Sequence, residues 1–210
     1  MRDSTEFDLW ADSYENEVET SDSNGEYPFA GYKKLMSAIY DEVMKKCPAR
    51  ALDIGIGTGA LAAKLYKAGN DVTGIDFSAE MLKVSGERMP GARLIRHDFS
   101  EGLPACLNGE IFDFIISTYA LHHITDKQKV RLIKLLLGHL AKDGKILIGD
   151  ISFPDRESLE ICKNSCGSDW DGEEHYSVFS DLCEFLGDEC NLIYYSFSHC
   201  AGITEISRKI

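Results

Sequence analysis

Short apolar runs bounded by turn residues alternate along this chain with longer segments of helical spacing. Ala49–Ile54, Asp71–Asp76, Arg93–Arg96, Phe112–Ser117 and Lys145–Ile151 read as strands. Between them, Leu61–Ala68, Ala79–Arg88 and the stretch up to Leu140 space their apolar residues three and four apart, as one-sided helices do. Strands alternating with helices predict a mostly parallel sheet covered on both faces. Phe112–Ser117 is almost unbroken in its apolarity, as a central parallel strand should be. Gly69-Asn70 stops the first of these helices, Ser78 caps the second, and Thr125-x-x-Gln128 forms a capping box before the third. Asp143-Gly144 reads as a turn. Upstream lie a polar helical arm over residues 7–19, carrying Phe7, Leu9, Trp10 and Tyr14, a loop from Asp22 to Pro28, and a helix Tyr32–Lys46. Downstream, residues 153–186 are less regular, with helices expected at Arg156–Cys166 and Ser177–Leu186. Asn191–Ser198 and Gly202–Ser207 close the chain as two strands.

One junction carries chemistry. Ala51-Leu52-Asp53-Ile54 ends in an acid and an apolar residue, and Gly55, Gly57 and Gly59 follow at every second position before the first helix. A strand turning through glycines into a helix brings bare backbone N–H groups and a helix N-terminus up to a ligand. Asp76 ends the next strand, where an acid can accept hydrogen bonds from ribose hydroxyls, and Phe77 follows it. The loop, the acid and the β-α-β spacing together predict a nucleoside-containing cofactor. A nicotinamide fingerprint wants a third glycine where Ala60 stands, and no Tyr-x-x-x-Lys pair accompanies it.

At these residues the sequence resembles the class I S-adenosylmethionine-dependent methyltransferases, whose first motif is an acid, one residue, then G-x-G-x-G. The likeness runs from Ala49 to about Ile151, and within the family it is closest to small bacterial proteins acting on small molecules. It implies a doubly wound, Rossmann-like, seven-stranded α/β sheet with its last strand antiparallel. S-adenosyl-L-methionine is the implied cofactor. Asp53, Gly55, Gly57, Gly59, Asp76, Phe77 and Ser117 are the implied binding positions, with Asp98 and Phe99 after the third strand holding the adenine. Tyr14, in Phe7-Asp8-x-Trp10-Ala11-x-x-Tyr14, matches a segment that covers the cofactor in such enzymes. On this reading residues 1–48 form an arm or lid, residues 49–210 the methyltransferase domain, and residues 151–189 a substrate-capping segment.

Composition narrows the acceptor. The chain has 210 residues and a formal charge of −13. Residues 1–30 hold nine acids against one base, and residues 151–189 hold eleven against two. Residues 31–150 hold fourteen acids and seventeen bases. No basic stripe is present to neutralise phosphates, so nucleic acid is not expected as a partner. Acidic segments flanking the expected cleft favour a neutral or cationic small-molecule acceptor. No apolar run reaches the ~18 residues of a membrane span, and the N-terminus lacks the apolar core of a signal peptide. Seven cysteines without zinc-type pairs fit a reduced, cytoplasmic protein without a metal.

Methyl transfer from a sulfonium is an in-line displacement, so holding the reactants matters more than a fixed catalytic set. His122, with His123 beside it, follows the fourth strand, where a base would face the acceptor. Tyr176 lies in the capping segment. No Asn-Pro-Pro-Tyr or Asp-Pro-Pro-Tyr signature of exocyclic-amine methylation and no Pro-Cys nucleophile occurs. The alternative function is a cofactor-binding module without catalysis.

Overall fold

A computed structural model describes residues 14–209. Phe7, Leu9, Trp10 and the side chain of Tyr14 lie outside what it describes. Helices α1 (Tyr14–Asn24) and α2 (Tyr32–Met44) precede a β-α-β-α-β series. That series is β1 (Arg50–Ile54), α3 (Ala62–Lys67), β2 (Asp71–Asp76), α4 (Ala79–Arg88) and β3 (Arg93–Arg96). Then come β4 (Phe112–Thr118), α5 (Asp126–Gly138), β5 (Leu140–Phe153), α6 (Arg156–Cys166), β6 (Ser177–Val178), α7 (Phe179–Leu186), β7 (Cys190–Ser196) and β8 (Ala201–Arg208).

The main sheet runs β3-β2-β1-β4-β5-β8-β7. β1 to β5 pair in parallel, and β8 inserts antiparallel between β5 and β7. The expected fold class holds, with one strand more: β6 pairs with the end of β5, off the main path. Strand order reverses between β1 and β4, and such a switch point opens a crevice at the carboxyl ends of the strands.

Alternation along the strands splits the core into two layers. Ala51, Phe114, Ile116 and Leu147 join α2 and α3 on one face. Leu52, Ile115, Ile146 and Ile148 join α5 and α7 on the other. α2 was expected within a separate arm, yet Leu35, Ile39 and Val43 are fully buried in the first layer.

Three local expectations are corrected. α1 runs on to Asn24, through the start of the expected loop. Ser177 and Val178 are strand rather than helix, because the extended β5 offers Ser152 and Phe153 as partners. Asp143-Gly144 is no turn but lies inside β5. A Cβ on Gly144 would stand 2.8 Å from the Asp113 carbonyl oxygen, so the glycine admits a close approach of β4 where the register shifts between Phe112 and Phe114.

Candidate active site

The carboxyl ends of β1, β2, β4 and β5 open into a cavity of about 650 Å³. Its floor is the glycine turn. Gly55 N and Ile56 N both donate to the Ile75 carbonyl, locking the turn to β2, and Ser85 Oγ donates to the Gly57 carbonyl. The glycines differ in what they face. A Cβ on Gly55 would collide with Ala120 Cβ at 2.5 Å, and one on Gly59 would press on Met89 and Ser85. A Cβ on Gly57, whose φ is 54°, would meet no atom within 4 Å, and Gly57 lines the cavity.

Asp53 and Asp76 also line the cavity. Asp76 Oδ2 accepts from Gly57 N at 2.8 Å and Oδ1 accepts from Ser78 N at 2.9 Å, so this acid shapes the turn as well as facing the cavity. Asp53 is buried, and its Oδ1 has no hydrogen-bond partner among the described residues. Burial, helped by the nearby Asp76 charge, pushes its carboxyl up to about 7.

Phe77 and Phe99 line the cavity with Gly55, Gly57, Asp53, Asp76 and His122. Four other sequence-predicted residues do not reach its lining. Gly59 lies behind the turn. Asp98 caps the short helical turn Phe99–Glu101, Oδ1 accepting from Ser100 N at 2.8 Å. Ser117 is buried, with its hydroxyl donating to the Ile54 carbonyl at 2.8 Å. Tyr176 is buried behind the wall. Its hydroxyl donates to Glu174 Oε2 at 2.8 Å and accepts from Tyr27, and burial raises its pKa far from any role as a base.

His122 sits in the helical turn Leu121–His123 after β4. Its Nδ1–H donates to Asp150 Oδ1 at 2.5 Å, since a carboxylate only accepts. The other oxygen of Asp150 accepts from the backbone N–H groups of Leu121 and His122, so one buried acid fixes both turn and ring. Burial alone would lower the imidazole pKa, but Asp150 and Glu174 raise it above its ordinary value. Asp150 was missed in the sequence, although it stands in the apolar run of β5, one residue past Gly149, which pairs with Thr118 at the carboxyl end of β4.

The wall opposite the glycine turn comes from the two acidic flanks. Glu26 and Tyr27 meet Asp169, Asp171 and Glu174 across the cavity. Tyr27 stacks on Trp170 with ring centroids 5.5 Å apart, and Trp170 packs edge-on to Tyr176 at 4.8 Å. Tyr119 lines the cavity at φ 49°, a backbone region that bulky residues seldom enter outside functional sites. Among the described residues the lining holds six carboxylates (Glu26, Asp53, Asp76, Asp169, Asp171 and Glu174) and neither lysine nor arginine.

A methyltransferase-domain profile matches residues 51–144. An uncharacterized methyltransferase of Geobacillus thermodenitrificans is 39% identical over 153 residues, 73% of this chain and 68% of that protein. The chain belongs to the methyltransferase family. A second relative of this methyltransferase, an uncharacterized one from Alkaliphilus oremlandii, is 29% identical over 97% of this chain and 92% of its own. Among solved structures, magnesium protoporphyrin IX methyltransferase of Synechocystis, with SAM bound, aligns over 100% of this chain and 98% of that one. Its TM-score is 0.68 at 16% identity, a likeness of fold. No helix among the described residues is long and apolar enough to cross a membrane.

Proposed function

We propose that this methyltransferase transfers the methyl group of S-adenosyl-L-methionine to a neutral or cationic small molecule. The observation that carries the reading is the cavity lined, among the described residues, by six carboxylates without a single lysine or arginine. A pyrophosphate cofactor or a nucleic-acid acceptor would place its charges against that wall. A sulfonium and an ammonium are favoured by it. The cavity volume of about 650 Å³ lies within the ~300–1,000 Å³ of small-ligand sites.

The residues present fit the cofactor. The orphaned Oδ1 of Asp53 needs a donor, and an amino-acid ammonium is one. Asp76 receives the ribose hydroxyls, Phe77 and Phe99 flank the base, and the bare backbone of Gly57 allows close approach. When bound, S-adenosylmethionine supplies an electrophilic methyl on a positively charged sulfur. The protein holds that group in the cavity and presents the acceptor from the opposite end, where His122 stands. His122 acts there through Nε2, the nitrogen that Asp150 leaves open.

The test is formation of S-adenosylhomocysteine with a panel of amines, thiols and alcohols lacking phosphate, alongside Gly57→Val. The variant should stay folded and lose donor binding, because a side chain on Gly57 enters the open cavity against the turn, where it meets no atom within 4 Å. A folded Gly57→Val that still binds the donor would place the cofactor elsewhere. Donor binding without turnover on any acceptor would favour the non-catalytic module.

A further inference from the structure

We infer that His122, His123 and Glu174 form a binding site for a divalent transition-metal ion, zinc in the first place, at the acceptor end of the cavity. The inference rests on the methyltransferase reading only for what the ion does, not for its binding. Glu174 Oε1 lies 3.6 Å from His122 Nε2 and 3.7 Å from His123 Nδ1. All three ligand atoms fall within 4.8 Å of one another, and all three residues line the cavity. Separations of 3.6–3.7 Å are too long for hydrogen bonds. They are close to the edges of a metal polyhedron: with metal–ligand bonds of ~2.0–2.1 Å, tetrahedral ligands sit ~3.3–3.4 Å apart.

The surroundings of His122 and Glu174 are those of a metal site. His122 gives Nδ1–H to the buried Asp150, the carboxylate–histidine arrangement that fixes the tautomer and leaves Nε2 as a lone pair. Glu174 is held through its other oxygen by the Tyr176 hydroxyl at 2.8 Å, so Oε1 is the oxygen left for an ion. The Glu174 segment is itself pinned against the histidine turn. His175 N donates to the His122 carbonyl at 2.8 Å, and the buried Lys129 ammonium donates to the His175 carbonyl. Because all three residues line the cavity, an ion they hold would keep a position open to it. Two imidazoles, one carboxylate and an open position is the ligand set of catalytic rather than structural zinc. The sequence pointed away from metal because its cysteines form no zinc-type pairs. The fold brings a carboxylate to the histidines from a distant loop instead.

The open position assigns the acceptor a class. An ion there receives a soft nucleophile, a thiol above all, and a thiol binding it gives its proton to solvent. The thiolate then needs no protein base, which explains a histidine pair at the acceptor end without a conventional proton relay.

The test is titration of the purified full-length protein, freed of metal by chelation, with Zn²⁺ by calorimetry and with Co²⁺ by visible absorption. Donor affinity is measured on the same samples. Wild type should bind one Zn²⁺ and give a cobalt ligand-field spectrum. His123→Ala and Glu174→Gln should each weaken zinc binding at least 100-fold with melting temperature retained, and His123→Ala should also keep its donor affinity. Asp150→Asn, a positioning change, should weaken it ~10–100-fold. Wild-type protein that binds the donor but takes up zinc no more tightly than Glu174→Gln would overturn the metal site and leave the methyltransferase reading standing. Zinc bound tightly without donor binding would do the reverse.

Discussion

Asp53 carries the clearest consequence of a single residue's placement. Its carboxyl is buried beside another acid, so the free protein holds a proton there up to about pH 7, while the unfolded chain releases it near 3.8. A raised carboxylate pKa means that the native state binds more protons than the unfolded one between those values. Stability of the free protein therefore falls as pH rises through that window. A bound ammonium favours the ionised form, so donor affinity should rise with pH, by up to about tenfold per unit below pH 7. Asp53→Asn should flatten that rise, weaken the donor at pH 7.5, and leave the free protein more stable than wild type at neutral pH. Calorimetry between pH 5 and 7.5 decides it. Coincident profiles for wild type and variant would show that this acid does not meet the donor's ammonium.

The element that sets the acceptor end is α5, whose start follows directly on the His122–His123 turn. Thr125 Oγ1 accepts from Gln128 N, and Gln128 Oε1 accepts from Thr125 N at 3.0 Å, closing the capping box. Thr125→Ala should cost about 1 kcal/mol and lower the melting temperature by ~2–4 °C in a chain of this size, with Thr125→Ser restoring most of it. An unchanged melting temperature would mean that the turn is held by Asp150 alone. This box, the strand series and the glycine turn were legible because their signals lie within a few residues of one another. What was not legible depends on partners far along the chain. Gly144 reads as a turn residue until β4 is seen to press on it, and Ser177-Val178 reads as helix until β5 is seen to reach it. Glu174 gains its meaning only beside His122 and His123. Ser117 and Asp98 show the opposite case. Each stands at the right height in the chain, yet each spends its side chain on the backbone of the fold, Ser117 on Ile54 and Asp98 on Ser100.

At the scale of the whole molecule, charge is segregated. Several basic residues of the middle segment serve the opposite end of the sheet: Arg50 pairs with Asp71 and Glu110, Arg93 with Glu110, and Lys46 with Asp113. The two acidic flanks meet at the cavity, where Glu26 and Asp169 are exposed and Asp171 and Glu174 half-buried. Charge runs on a surface usually do no more than keep a protein in solution. Here four of those acids face one cleft, and a cleft of one sign concentrates ions of the other. Exposed charges are screened beyond ~10 Å at 0.1 M salt, so the attraction should be strong in dilute buffer and weak in concentrated salt. For a cationic acceptor, kcat/KM should fall by roughly threefold or more between 0.02 and 0.5 M sodium chloride, carried by KM, whereas a neutral acceptor should be nearly indifferent. Glu26→Gln with Asp169→Asn should reproduce the high-salt value in dilute buffer, since both side chains lie at the mouth and bond neither the glycine turn nor the histidines. A best acceptor that is phosphorylated, or turnover that improves with salt, would reduce the acidic flanks to a solvated surface.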